Sequence, residues 1–263
     1  MRRPVILAAI LLAGVVALAL LPFGRRDEAD EGPTVLAAAS LTDALERAGA
    51  AFERQGGAPV AMDFGSSGAL RMKLLRGARA DVYCPASTRD MDLLAEAGKL
   101  LDSTRRNVVR NRLVCVVPAA SKLNLPQPGD LRQPAVRRVA LADPAHAPAG
   151  RYAEQALRAL GLWDALAGRR VTCDNVRAAL AHAEAGSVEA AIVYRSDARI
   201  SDRVTEAFAF PADSHDPIVY PVAVLKDAPH AAEARAFVQF LATPGMAEVF
   251  ASCGFEPIGR EAR

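Results

Sequence analysis

The chain has 263 residues, of which 51% are hydrophobic and 5% aromatic, enough to bury a sizeable core and to form two lobes of ordinary size. Its 32 lysine and arginine residues nearly balance 30 aspartate and glutamate residues, and no long block of like charge occurs. This composition excludes a disordered chain and gives no support to a nucleic-acid partner.

The amino terminus has the pattern of an export signal. Arg2 and Arg3 precede a stretch without ionisable side chains from Val5 to Phe23. In Ala17-Leu18-Ala19, small residues stand at the two positions that a signal peptidase reads. The stretch is also long enough to cross a bilayer, which takes roughly 17–25 residues. We therefore expect residues 1–33 to be a signal peptide or a membrane anchor plus a linker. The protein is then periplasmic or otherwise extracytoplasmic, with anchoring to the membrane as an alternative to release.

After residue 33, short apolar runs alternate with helical patterns. The runs TVLAAA, APVAMDF, ADVYCPA, RRVALAD and RRVTC each precede a stretch with the apolar spacing of an amphipathic helix, and VEAAIVY follows the last of these helices. The chain returns to helical patterns in HAAEARAFVQFL and TPGMAEVFASCGF. The repeated order of strand and helix predicts an α/β architecture with largely parallel sheets.

The four cysteines are far apart and lack metal-ligand spacing. Cys84 and Cys115 lie in strand-like apolar runs, where a small buried thiol is the ordinary interpretation. A disulfide is the alternative in an oxidising compartment, and the sequence does not choose a pairing.

Small or helix-capping residues recur where a strand meets the next helix. They are Ser40, Ser66 with Ser67, Pro148 to Gly150, and Asp174 to Val176. In an open parallel sheet these junctions lie at the carboxyl ends of the strands, where helix N-termini present free N–H groups and ligands bind. Any one junction would be explained by ordinary capping, whereas the four together favour an anion site.

A catalytic serine is the alternative chemistry for the GSSG segment, Gly65 to Gly68. This segment does not have the G-x-S-x-G spacing of a nucleophile elbow. The histidines that a triad would need lie in loops, on a helix and at a helix start: His146, His182, His215 and His230. We expect no enzyme activity, and a serine hydrolase remains the alternative from a different class.

Several segments, in order along the chain, resemble the periplasmic molybdate-binding proteins of ABC transporters. They are LAAASLTDAL, FGSSGALRMKLLRGARADVYCPAS, NRLVCVVP, DPAHAPAGRYAEQALRALGLWDAL, DNVRAALAHAEAG, AAIVYRSDA and YPVAVLKD. The resemblance implies a type II periplasmic-binding-protein fold with two α/β lobes, each a mainly parallel sheet flanked by helices, and a ligand cleft between them. Lobe 1 would comprise residues 34–112 and the return segment 222–263, and lobe 2 would comprise residues 113–221.

The same resemblance places the oxyanion contacts on Ser40 and Ser67 in the first lobe and on Ala149, Val176 and Tyr194 in the second. Hydroxyl groups and backbone N–H groups are all donors, so such a site needs no charged side chain. The resemblance implies a monomer that binds molybdate or tungstate as the whole oxyanion, without a further cofactor or a metal held directly by the protein. Its partner would be the permease of an ABC transporter. Another tetrahedral oxyanion, such as sulfate, is the alternative ligand.

Ser66 and Arg151 lie close to the expected contacts in the sequence. Ser66 is expected to cap its helix or to support Ser67. Arg151, in the first turn of its helix, is interpreted as a solvated arginine, with contact to the cleft rim as the alternative, although a cation there opposes the helix dipole.

Overall fold

The computed structural model describes residues 32–258. The export-signal prediction concerns residues that lie almost entirely outside this range. Within residues 32–258, no helix is both long and apolar enough to cross a membrane.

One sheet has six strands in the order β11-β4-β10-β3-β1-β2. The strands are β1 (Thr34–Ala38), β2 (Ala61–Gly65), β3 (Val82–Cys84), β4 (Arg106–Arg110), β10 (Val219–Val224) and β11 (Glu256–Pro257). The helices of this part of the chain are α1 (Thr42–Arg54), α2 (Ser67–Leu75), α3 (Thr88–Glu96), α7 (Ala231–Leu241) and α8 (Pro244–Ser252). We call this sheet and these helices the first lobe.

The other sheet has five strands in the order β7-β6-β8-β5-β9. The strands are β5 (Leu113–Pro118), β6 (Val139–Ala142), β7 (Arg170–Cys173), β8 (Ala190–Tyr194) and β9 (Val204–Ala209). The helices here are α4 (Pro148–Ala159), α5 (Val176–Glu184) and α6 (Arg195–Arg199). We call this sheet and its helices the second lobe.

The expected units form because their apolar residues recur with the period of the element they occupy. Strand β8, AAIVY, is buried along its whole length, as a central strand covered on both faces should be. Helix α1 buries Ala44, Leu45, Ala48 and Phe52, which share one face at helical spacing. The α/β architecture predicted from the sequence is therefore confirmed.

The strand pairing in each sheet is mixed, so the expectation of mainly parallel sheets is wrong in this respect. Strand β1 pairs in parallel with β2 and β3, and β6 pairs in parallel with β7 and β8. Strand β10, however, is antiparallel to its neighbours β3 and β4, and strand β5 is antiparallel to its neighbours β8 and β9. The reason is that these two strands directly follow the segments on which the chain crosses from one lobe to the other.

The chain crosses between the lobes after β4 and again after β9. The first crossing is made by Asn111 and Arg112, next to the predicted boundary at 112/113. The second crossing ends at Val219, where β10 begins, whereas the sequence placed the return to the first lobe at residue 222. The predicted boundary thus falls inside a strand of the first sheet.

Candidate anion-binding site

A small cavity lies at the carboxyl ends of the parallel strands. It is lined by Ala38–Ser40, Gly65–Ser67 and Ala86 from the first lobe and by Ala147–Ala149, Asn175, Val176 and Tyr194 from the second. The volume in which the centre of a water molecule can lie is about 20 Å³. Since one water needs roughly 10–15 Å³ on this measure, the cavity suits a small ion rather than a sugar or a peptide.

All five residues expected from the sequence to contact the anion line this one cavity: Ser40, Ser67, Ala149, Val176 and Tyr194. None of the lining residues carries a charged side chain. An ion held here would therefore be bound by neutral dipoles.

Three helices begin at the wall of the cavity. Helix α2 starts at Ser67, α4 at Pro148 and α5 at Val176. Proline favours the first helical position because its fixed φ suits the helix and its missing N–H would be unpaired there anyway. Asn175 fixes the start of α5, because its side chain accepts a hydrogen bond from Ala178 N at 3.1 Å. The first N–H groups of each helix have no partner within the helix, and the helix dipole makes this end positive, so the arrangement favours an anion.

The two serines of the GSSG segment have different environments. Ser67 Oγ accepts a hydrogen bond from Ala86 N at 3.0 Å, and this leaves its own hydrogen free to donate to a ligand. Ser66 occupies the N-cap position of α2 but its side chain makes no capping hydrogen bond, so the expectation that it caps the helix is wrong. Ser66 lines the cavity instead.

Ser40 lies in a short 3₁₀ helix between β1 and α1 and is held by Tyr220 of β10, which in turn contacts Asn111 of the first crossing. Its Oγ is 3.0 Å from Tyr220 Oη, and Asn111 Nδ2 donates to the same Tyr220 oxygen at 3.2 Å and to Ser196 Oγ at 2.8 Å. Either hydroxyl can be the donor in the contact between Ser40 and Tyr220; when Tyr220 donates, the Ser40 hydrogen is left to donate to a ligand. Neither Asn111 nor Tyr220 was expected to have a role, although both belong to segments that carry the resemblance, NRLVCVVP and YPVAVLKD.

Tyr194 has a buried hydroxyl group at the cavity. Its side chain is 1% exposed, and within residues 32–258 its Oη is the one buried side-chain nitrogen or oxygen without a hydrogen-bond partner. Burial raises the pKa of Tyr194 well above its ordinary value, so the group remains an O–H donor. A buried hydroxyl without a partner is unfavourable, which indicates that this donor serves an acceptor supplied from the cavity.

The lobes contact each other beside the cavity. Gly68 N donates to His146 O at 2.9 Å, and a Cβ on Gly68 would overlap that oxygen, so glycine is required where the two lobes approach. Arg151 forms an ion pair with Asp90 of the first lobe, whose side chain is 1% exposed and also accepts from Arg71 Nε at 3.2 Å. The interpretation of Arg151 as a solvated arginine is therefore wrong, because it pairs with a buried carboxylate across the cleft.

The site does not have the arrangement of a serine hydrolase. In the described part of the chain, the hydrogen-bond partner of the Ser67 hydroxyl is a backbone N–H, and neither Ser66 nor Ser67 is hydrogen-bonded to a histidine side chain.

All four cysteines are buried free thiols: Cys84, Cys115, Cys173 and Cys253. For Cys84 and Cys115 this is what their apolar surroundings predicted. Burial raises the pKa of Cys84 to about 12, so this thiol stays protonated and unreactive near neutral pH. Between residues 32 and 258, no group of three or more His, Cys, Asp or Glu residues is placed to hold a metal ion.

The two lobes and the donor-lined cavity between them define a binding protein for a small solute. The chain belongs to the bacterial extracellular solute-binding proteins, whose family profile matches residues 33–256. It is 36% identical over 243 residues to the molybdate-binding protein ModA of Haemophilus influenzae, with 91% of this chain and 95% of the relative covered. It is 38% identical over 240 residues to ModA of Escherichia coli, with 86% and 90% covered. The resemblance found in the sequence is thereby confirmed.

The fold also matches solved structures. The periplasmic molybdate-binding protein of Azotobacter vinelandii superposes with a TM-score of 0.80 over 86% of this chain and 100% of that chain, at 24% identity. At this identity the match supports the two-lobed α/β fold alone.

Proposed function

We propose that the protein captures molybdate outside the cytoplasm and delivers it to the permease of an ABC transporter. Its relatives in two bacteria are named molybdate-binding proteins and are matched over most of their length. The observation that carries the proposal is the buried Oη of Tyr194, which has no partner among the described residues and belongs to a cavity that its neighbours line with further donors.

The donor set favours an anion that has lost all its protons. Ser40, Ser67 and Tyr194 have hydroxyl groups to donate, Ala149 and Val176 have backbone N–H groups, and no carboxylate lines the cavity to accept a proton from a ligand. Molybdate, tungstate and sulfate are fully ionised near neutral pH, whereas phosphate keeps a proton that would face donors only. We therefore propose molybdate and tungstate as ligands, and we propose that the size of the cavity discriminates against sulfate.

The proposed mechanism is closure of the lobes over the anion. Ser40 and Ser67 belong to the first lobe and the other three contacts to the second, so a bound oxyanion would hold the lobes together. The permease would then recognise the closed form. This function requires no covalent step and no further cofactor, and a monomer is sufficient for it.

The proposal is tested by small-angle scattering and thermal unfolding of the purified chain with and without molybdate. Ligand that binds across the cleft should reduce the radius of gyration, and at 100 times its Kd it should stabilise the folded state by about 2.7 kcal/mol. An unchanged scattering profile and melting temperature at saturating molybdate would contradict a hinged molybdate-binding protein.

A further inference from the structure

Arg177 bridges the two lobes beside the cavity. It follows Val176 in the first turn of α5, in the second lobe. Its Nη2 donates to Asp43 Oδ2 at 2.6 Å and lies 3.5 Å from the carbonyl oxygen of Ser40, both in the first lobe. Its Nε donates to Asp197 Oδ1 at 2.6 Å within the second lobe. One guanidinium thus links a carboxylate of each lobe.

The Asp197 end of this bridge leads to the site itself. The side chain of Asp197 is fully buried, and its other oxygen accepts a hydrogen bond from Tyr194 N at 3.2 Å. Arg177 therefore connects the backbone of Ser40 on one side of the cavity with the backbone of Tyr194 on the other.

We propose that Arg177 is a positioning residue and an interlobe latch, which aligns Ser40 with Tyr194 and, by pairing with Asp43 when the lobes are closed, slows release of the oxyanion. This inference rests on the proposed function, since it concerns how tightly the same ligand is held.

The charges of the bridge suit a contact that must open and close. When the lobes separate, Arg177 keeps Asp197 as its partner, so the buried carboxylate is never left without a counter-charge, which would be strongly unfavourable. Asp43 is 36% exposed and lies in the first turn of α1, where water and the helix dipole stabilise its free carboxylate. Opening therefore breaks one accessible ion pair and leaves no isolated charge in the core.

Only an arginine can make this bridge. Nε and Nη2 lie on one rigid planar group and donate to two carboxylates at the same time, whereas a lysine ammonium is a single point charge. The position is otherwise unfavourable for a cation, because the first turn of a helix repels positive charge. Its two carboxylate partners offset that repulsion.

The test measures release and capture of molybdate separately. In Asp43→Asn, the dissociation rate of labelled molybdate chased with unlabelled molybdate should rise about 2- to 5-fold, with little change in the association rate. The matched control is Glu46→Gln, which removes the same charge from an exposed position of the same helix and should release molybdate at the wild-type rate. Asp43→Glu should restore slow release in part. The melting temperature of the ligand-free protein should be the same for all three variants.

A second variant tests the bridging geometry. Arg177→Lys keeps the charge and loses the two-sided contact, so it should speed release more than Asp43→Asn does. Higher ionic strength should speed release from the wild type and have less effect on Asp43→Asn, because the ion pair is partly exposed.

Release from Asp43→Asn at the wild-type rate, or loss of ligand-free stability without faster release, would overturn the latch. Failure of the proposed function would look different: the wild-type chain itself would not bind molybdate, and both proposals would fall.

Discussion

Replacing Tyr194 by phenylalanine should separate ligand affinity from folding stability. The substitution removes one atom, the buried Oη, and leaves the ring and its edge contacts with Tyr152 and Tyr220 in place. In most proteins the loss of a buried hydroxyl destabilises the fold, because a hydrogen bond is lost. Here Oη has no partner among residues 32–258, so the fold loses none.

The two effects should have opposite signs. A hydrogen bond to a charged group contributes about 1.5–3 kcal/mol, so Tyr194→Phe should weaken molybdate binding by roughly 10- to 150-fold. An unsatisfied buried polar group costs about 1–3 kcal/mol, so the free energy of unfolding of the ligand-free chain should stay the same or rise.

Titration calorimetry measures the first effect and urea unfolding without ligand measures the second. Tyr220→Phe is the matched control: it is an equally buried tyrosine whose Oη is hydrogen-bonded to Ser40 and Asn111, and its loss should lower the free energy of unfolding by about 1–2 kcal/mol. If Tyr194→Phe binds molybdate like the wild type, or destabilises the ligand-free chain as much as Tyr220→Phe does, the role given to this hydroxyl is wrong.

Four other substitutions test neighbouring parts of the account. Ser67→Ala removes a donor to the anion and should weaken molybdate binding, measured by calorimetry, by roughly 10- to 150-fold. Ser66→Ala loses no capping hydrogen bond and should leave the free energy of unfolding unchanged. Gly68→Ala places a Cβ against a carbonyl oxygen of the opposite lobe, so it should hinder closure and weaken molybdate by roughly 5- to 150-fold with the ligand-free melting temperature unchanged. Burial raises the pKa of Asp197 to about 6, and the neighbouring Arg177 offsets only part of the effect of burial. Folding therefore takes up a proton at this group between about pH 4 and 6. As pH rises through that window, urea unfolding should show the wild type losing up to roughly 3 kcal/mol relative to Asp197→Asn.

The predictions for Ser67, Gly68 and Asp197 each have a contradicting result, and a loss of stability in Ser66→Ala would show that this side chain supports the fold. Equal molybdate affinity in Ser67→Ala and the wild type would remove this serine from the site. Wild-type affinity in Gly68→Ala would show that the lobes need not approach so closely. A stability difference between the wild type and Asp197→Asn that does not change with pH would show that the buried carboxyl ionises normally.

The position of the cavity could be predicted from the sequence because it depends on local patterns. Small or capping residues mark the junctions between strands and helices, and the junctions after parallel strands lie at the same edge of a sheet. This pattern includes Ser40, Ser67 and Val176, which line the cavity. Ala149 belongs to the junction from Pro148 to Gly150, and the family resemblance singled it out as a contact. The resemblance alone added Tyr194, whose residue type does not by itself indicate a ligand.

The contacts that hold the lobes could not be predicted, because they join residues far apart in the chain. Arg177 and Asp43 are 134 residues apart, and Asn111 and Tyr220 are 109 apart. Such pairs produce no periodicity or motif, and the single residues look like ordinary surface arginine, helix-start aspartate and strand tyrosine. The antiparallel strands were missed for a related reason: the direction of a strand after a crossing is set by the lobe it enters.

The most direct test of the account is calorimetric titration of the purified chain with molybdate, sulfate and phosphate at neutral pH. A small cavity lined by hydrogen-bond donors and by no carboxylate should bind molybdate tightly, sulfate more weakly and phosphate poorly. Phosphate binding as tight as that of molybdate, or no heat of binding with molybdate, would contradict the proposed oxyanion site.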